Sequence, residues 1–258
     1  MAVEQHRLAE AAAAARPIAE AGQMRAALLA TADHDLRAPL AAAKAAVGGL
    51  RASDVARRPE QVRELAADAY ASLDQLTRLV DDLLDLSRLQ AGQLPLRTGP
   101  TDIRDVVVPA LASLGPPAAQ VRVMIPVAMP PAVADPALLE RVLVNLLSNA
   151  IRYSPAGSPA TVTASTLGDR VELRIIDQGP GVSETDWDRI FAPFQRRSGE
   201  STSPGTGLGL ALSRGLTEAM HGTLTPEDTP GGGLTMIVSL SAAGTAPARA
   251  VPAAPSPD

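Results

Sequence analysis

The sequence contains no cysteine, which excludes disulfides and thiolate metal sites and is compatible with a reducing compartment. Aromatic residues make up only 2% of the 258 positions, so any core must be assembled from Leu, Val, Ile and Ala. The hydrophobic content of 46% is enough to supply one. No apolar run approaches the ~18–20 residues that span a bilayer. Glu4, His6, Arg7 and Glu10 interrupt any signal-peptide pattern at the N-terminus. These absences lead us to expect a cytoplasmic chain that makes no membrane contact itself, or the soluble part of a longer membrane-associated protein. Basic charge is also short: the net charge is -5, which argues against a nucleic-acid partner.

What is present falls into two halves. Residues 2–16 are rich in alanine and helical in propensity, and Pro17 interrupts them. From Met24 a longer helix is expected, with Leu36, Leu40, Ala43, Val47 and Leu50 stepping by four and three as a bundle seam. After the loop Arg51–Pro59, a second helix is expected from Glu60 to Ala91, closed by Gly92. Its apolar positions Val62, Ala66, Ala69, Leu73, Leu76, Val80 and Leu83 follow the same rhythm, and Leu65, Leu79 and Leu86 widen the face. One antiparallel hairpin cannot bury a face this wide, so two chains are expected to pair as a homodimeric four-helix bundle. The second half reads as α+β, a sheet with helices on one face. Helices are expected at Asp102–Leu114, after an Asp135 N-cap, at Ser183–Phe191 with Ser183 as cap, and after the glycine-rich stretch at 205–209. Strands are expected at 120–125, on either side of the Gly168–Asp169 turn, and in the closing segments "GTLTPED" and "GLTMIVSL". The resulting division is a lead-in over 1–23, a hairpin over 24–95, an α/β domain over 100–241 and a disordered tail over 242–258.

Four motifs carry chemistry. His34 sits between Asp33 and Asp35, on the side of its helix away from the apolar seam, with Pro39 following. An isolated exposed histidine is usually an ordinary surface residue. Here Asp35 can accept a hydrogen bond from one ring nitrogen and leave the other as a nucleophile. Asn145 and Asn149 lie at i and i+4 on one helix face. Their amide oxygens suit Mg²⁺, although two solvent-facing amides would look the same. "DQGPG", Asp177 to Gly181, follows a strand, where a carboxylate can accept the amino group of adenine while Gly179 and Gly181 let backbone approach closely. "GTGLGL", Gly205 to Leu210, opens a helix whose first amides can hold phosphate oxygens. It has neither the preceding strand of a dinucleotide fold nor the lysine of a P-loop.

Each motif alone is modest, but their order is specific. "HDLRAPL", then NxxxN, then DxGxG, then Phe191 and Phe194, then GxGLGL, resembles the sensor histidine kinases of two-component systems. The resemblance runs from about Met24 to Leu240. "RIFAPFQR", "GLGLALSRGLTEAMHGTL" and "PEDTPGGGLTMIVSL" are most similar to the potassium- and osmolarity-responsive branch in its actinobacterial form. It implies a dimerisation and phosphotransfer hairpin followed by a Bergerat-type α/β-sandwich ATP-binding domain. It further implies His34 as phospho-acceptor, Asp35 as its base, and ATP with Mg²⁺ held through Asn149 and Asn145. Asp177 would read adenine, and Arg152 and Tyr153 would flank the nucleotide. Arg196 would reach the phosphates from a lid lined by Gly205, Gly207, Leu208 and Gly209. The implied partner is the receiver domain of a response regulator.

Two positions depart from the family pattern: Ala38 stands where Thr or Asn is usual, and Asp33 where Ser is usual. Related ATPases of this fold carry a glutamate at the position of Asn145, and its absence fits transfer to histidine rather than hydrolysis. Two rival readings remain, a degenerate ATP-binding dimerisation scaffold and an ATP-hydrolysing machine of the same fold.

Overall fold

The computed structural model describes residues 36–51, 59–194 and 207–244. The lead-in, His34, Asp35, most of the Arg51–Pro59 connection, Arg196, Gly205 and the sequence after Gly244 lie outside the described residues. By backbone proximity the chain divides into two units, Met1–Leu94 with Ile190–Ala211 and Pro95–Arg189 with Leu212–Asp258. None of the helices searched among the described residues is long and apolar enough to cross a membrane.

The first unit holds two helices, α1 over residues 36–51 and α2 over Pro59–Gln90. Helix α1 is helical on both sides of Pro39, which is buried. The expected single seam is divided between two faces. Ala43 and Ala46 are buried, while Leu40 and Val47 are exposed. Gly49 comes so close to α2 that a Cβ there would stand 3.3 Å from Leu65 Cδ2. On α2 the buried apolar residues are Ala69, Leu79 and Leu86, whereas Val62, Leu73, Val80 and Leu84 remain exposed. Helix α2 ends as expected at Gly92. Gly92 has φ 63°, its N–H reaches the Leu89 carbonyl at 3.0 Å, and Gln93 N–H reaches Arg88 at 2.9 Å. This left-handed cap satisfies carbonyls that the last turn cannot pair.

The second unit begins with β1 (Gly99–Thr101), α3 (Ile103–Leu114), a 3-10 turn at Pro116–Gln120 and β2 (Val121–Met124). Then come β3 (Ala132–Ala134), α4 (Pro136–Tyr153), β4 (Ala160–Leu167) and β5 (Arg170–Ile176). Helix α5 (Gly209–Ala219), which belongs to this unit from Leu212 onward, β6 (Thr223–Asp228) and β7 (Leu234–Ser241) complete it. The main sheet has the order β2-β4-β5-β7-β6, parallel at β2–β4 and antiparallel elsewhere. Strands β1 and β3 form a separate antiparallel pair. Alternation along β5 buries Val171, Leu173 and Ile175, and α4 buries Leu139, Val142, Leu143, Leu146, Leu147 and Ala150. The first is the period of a half-buried strand and the second that of an amphipathic helix, so the two faces meet as an aliphatic core.

Two expectations are corrected. Ser183–Phe191 is not one capped helix but two short 3-10 turns, Glu184–Asp186 and Arg189–Phe191. The Ser183 hydroxyl pairs with that of Thr185 at 2.9 Å instead of capping backbone amides. The tail does not begin at Ala242. Ala242 is buried, its N–H donates to Asp169 at 2.7 Å, and Ala243 N–H donates to Pro131 at 2.7 Å.

Candidate active site

Helix α4 places the two amides. Its N-terminus is fixed by Asp135, whose Oδ1 accepts from Ala137 N–H at 3.1 Å and Leu138 N–H at 3.3 Å. Asp135 Oδ2 accepts from Arg97 N–H at 2.8 Å, which pins the start of this unit to the same helix end. Further along, Asn145 and Asn149 flank the apolar face and are half-buried. Asn145 Nδ2 donates to Ser213 Oγ on α5 at 2.7 Å. The Asn149 side chain makes no hydrogen bond among the described residues. An amide held beside an apolar face without a protein partner is poised for an outside one. Amide oxygens are hard donors, and one or two of them suit a cation that otherwise keeps water and phosphate ligands, so the residues present fit Mg²⁺.

Asp177 follows β5 and is buried, at 7% exposure. Its backbone N–H donates to the Leu234 carbonyl at 3.0 Å. Its Oδ1 accepts from Gly179 N–H at 2.8 Å and from Leu234 N–H at 3.0 Å. Both bonds fall on one oxygen, and Oδ2 has no hydrogen-bond partner among the described residues. Burial raises the carboxyl above the usual aspartate range, and the two backbone donors oppose part of that rise. The result is a fixed acceptor with one oxygen left over for a further donor.

The surroundings of Asp177 need bare backbone. A Cβ on Gly179 would stand 2.7 Å from the Tyr153 carbonyl oxygen. Gly233, at φ 114°, packs so tightly that a Cβ there would overlap the Asp177 carbonyl oxygen at 2.1 Å. Gly181 takes φ 66°. The sequence pattern marks Gly233 and Leu234 only as the start of a closing strand, with no role at the site. The run Gly231–Gly233 before a strand was the available signal, but only the fold brings it against "DQGPG". At the end of α4, the Arg152 guanidinium lies 4.9 Å from the Tyr153 ring centroid and donates to the Tyr153 hydroxyl at 2.9 Å.

Phe194, at φ 63°, donates its N–H to the Gly207 carbonyl at 2.9 Å. Gly207 has φ 66°, Leu208 is fully buried, and Gly209 begins α5. Thus Asn145, Asn149, Arg152, Tyr153, Asp177, Gly179 and Gly181 fall within one unit, and Gly207, Leu208 and Gly209 lead into α5.

Residues 24–92 match the His Kinase A (phospho-acceptor) domain, and residues 134–244 match the histidine kinase-, DNA gyrase B-, and HSP90-like ATPase. Sensor protein KdpD of Mycobacterium tuberculosis (strain H37Rv) is 46% identical over 93% of this chain. The chain spans only 28% of that relative's length. Among solved structures, the Acinetobacter baumannii histidine kinase AdeS superposes with TM-score 0.64 at 26% identity, covering 81% of this chain and 98% of its own. Full-length ShkA in complex with AMPPNP gives TM-score 0.61 at 26% identity, covering 88% of this chain and 47% of its own. A phospho-acceptor hairpin followed by this ATPase fold is the kinase core of a two-component sensor, and the chain belongs to the sensor histidine kinases as a KdpD-like protein-histidine kinase core.

Proposed function

We propose that the chain autophosphorylates His34 from ATP and passes the phosphoryl group to an aspartate on a response regulator. The observation that carries the ATP reading is Asp177: a buried carboxylate with one oxygen locked by two backbone amides and the other open to an adenine amino group. A solved relative, ShkA, is described in complex with AMPPNP. Gly179 and Gly233 leave room for the base, and Arg152 and Tyr153 flank the nucleotide. Gly207, Leu208 and Gly209, with Gly205 and Arg196, act on the phosphates. Asn149, assisted by Asn145, holds Mg²⁺, which when bound neutralises charge on the phosphate oxygens.

In the transfer, the free imidazole nitrogen of His34 attacks the γ-phosphorus. The bond from that phosphorus to the β–γ bridging oxygen breaks and ADP leaves. Asp35 takes the proton from the other ring nitrogen. In the second step a carboxylate of the receiver attacks the phosphorus, the P–N bond breaks and the imidazole recovers its proton. Little covalent chemistry falls to the protein beyond positioning and charge stabilisation. The hairpin dimerises through the exposed apolar stripe of Leu40, Val47, Val62, Leu73, Val80 and Leu84, completing a four-helix bundle. The similarity to KdpD supports a role in potassium or osmotic signalling. Incubation with γ-labelled ATP tests the activity. Acid-labile label on the protein is expected; no label would favour a scaffold, and free phosphate alone would favour an ATPase.

A further inference from the structure

Ser213 lies on α5 and is 1% exposed. Its hydroxyl accepts the only hydrogen bond that the Asn145 side chain makes among the described residues, at 2.7 Å. Ser213 is itself held firmly: its carbonyl accepts from the Thr217 hydroxyl at 2.7 Å, and Thr217 is fully buried. A planar amide carries its nitrogen and oxygen on the same carbon, so fixing Nδ2 toward α5 turns Oδ1 away from it. The oxygen is an acceptor and a hard metal donor, whereas the NH₂ group is neither. Without a partner the amide can rotate about its last bond and present the wrong group.

We propose that Ser213 is a positioning residue for phosphoryl transfer, fixing the Asn145 amide so that its oxygen faces the Mg²⁺–phosphate side of α4. This rests on the reading that α4 supplies the Mg²⁺ ligands. It assigns a role to a buried residue of α5 that touches neither nucleotide nor metal. The second α4 amide, Asn149, has no such tether, so the two amides are not equivalent: one is pre-set and the other orients on binding. Partners of this kind typically change metal affinity by roughly 10- to 100-fold when removed.

The test is calorimetric binding of a non-hydrolysable ATP analogue as Mg²⁺ is titrated from zero, on the full chain. Ser213→Ala should bind the analogue without Mg²⁺ as the wild type does. It should need roughly 10-fold more Mg²⁺ for the half-maximal gain in affinity. Asn145→Ala should shift the Mg²⁺ requirement similarly, and the double variant should shift it no further, because the two act as one unit. A purely structural serine would lower thermal stability of the apo protein and leave the Mg²⁺ requirement alone. Should Ser213→Ala not fold, Ser213→Cys fills the same space with a weak hydrogen-bonding group and should show the same shift. An unchanged Mg²⁺ requirement in the folded variant, or effects of the two single variants that multiply, would overturn the proposal. Nucleotide binding by the wild type that does not respond to Mg²⁺ would overturn the reading of α4 along with it.

Discussion

At the scale of residues, Asp177 trades stability for binding. Its folded-state pKa is raised, so the folded protein holds the proton more tightly than the unfolded chain does. The side chain's contribution to stability is therefore fully present below the unfolded value, and is lost as pH rises through the folded one. Asp177→Asn keeps an oxygen for Gly179 and Leu234 but removes the buried charge. We expect its apo form to melt higher than wild type at neutral pH, with the difference shrinking as pH falls below the raised pKa. ATP affinity should fall by ~1–3 kcal/mol, roughly 5- to 150-fold, because an adenine donor then meets an NH₂ group. Melting curves across pH and calorimetry with ATP check the two halves separately. Asn149→Ala should behave differently, losing Mg²⁺-dependent affinity while Mg²⁺-free binding falls less. A second residue, Ala38, is exposed on α1, four positions after His34. The Thr or Asn usual there in the family orients a water against the phosphorylated regulator. Misplacing a reacting group by about 1 Å can cost on the order of 10²-fold, so unloading of the regulator should be slow. Decay of the phospho-regulator with ADP should quicken severalfold or more with Ala38→Thr, and equal rapid decay with both proteins would remove the point.

At the scale of elements, the end of α5 shows two neighbouring residues under opposite demands. His221 takes φ 58°, and its N–H reaches Glu218 at 2.9 Å while Gly222 N–H reaches Thr217 at 2.9 Å. This is a left-handed helix cap occupied by a residue with a Cβ. Gly222 is glycine for room instead: a Cβ there would stand 2.7 Å from the Ser239 carbonyl oxygen. His221→Gly should therefore stabilise the fold by about 0.5–1 kcal/mol, read from the denaturation midpoint. Gly222→Ala should destabilise it by at least as much. The long elements were legible because their periods are sustained. Asp135 as N-cap, Gly92 as C-cap, α4 and the β4–β5 hairpin all stand where sequence pattern puts them. Strands β1 and β3 have three residues each, too few for a period to show, and only their mutual pairing makes them strands. The same limit applies at the site. Asp177, Asn145 and Asn149 are visible as motif letters. The contacts Gly233–Asp177 and Ser213–Asn145 join residues far apart in sequence, and no local pattern encodes them.

At the scale of the whole molecule, the exposed stripe on α1 and α2 predicts a dimer. Leu73 and Val80 are 50% and 40% exposed, too apolar a face for a lone hairpin in water. Changing both to Glu should convert a dimer to a monomer by light scattering, while ATP binding by the other unit persists. A wild-type chain that is monomeric at high concentration would contradict the bundle. In the proposed reaction, ATP held beside Asp177 phosphorylates one histidine of the hairpin. The three histidines of the chain are His6, His34 and His221, so the site of label is decidable. The measurement is acid-labile incorporation from γ-labelled ATP into wild type, His34→Gln and Asp177→Ala, with ATP binding measured alongside. Label is expected on wild type alone, with His34→Gln still binding ATP and Asp177→Ala binding it weakly. Undiminished label on His34→Gln would contradict it.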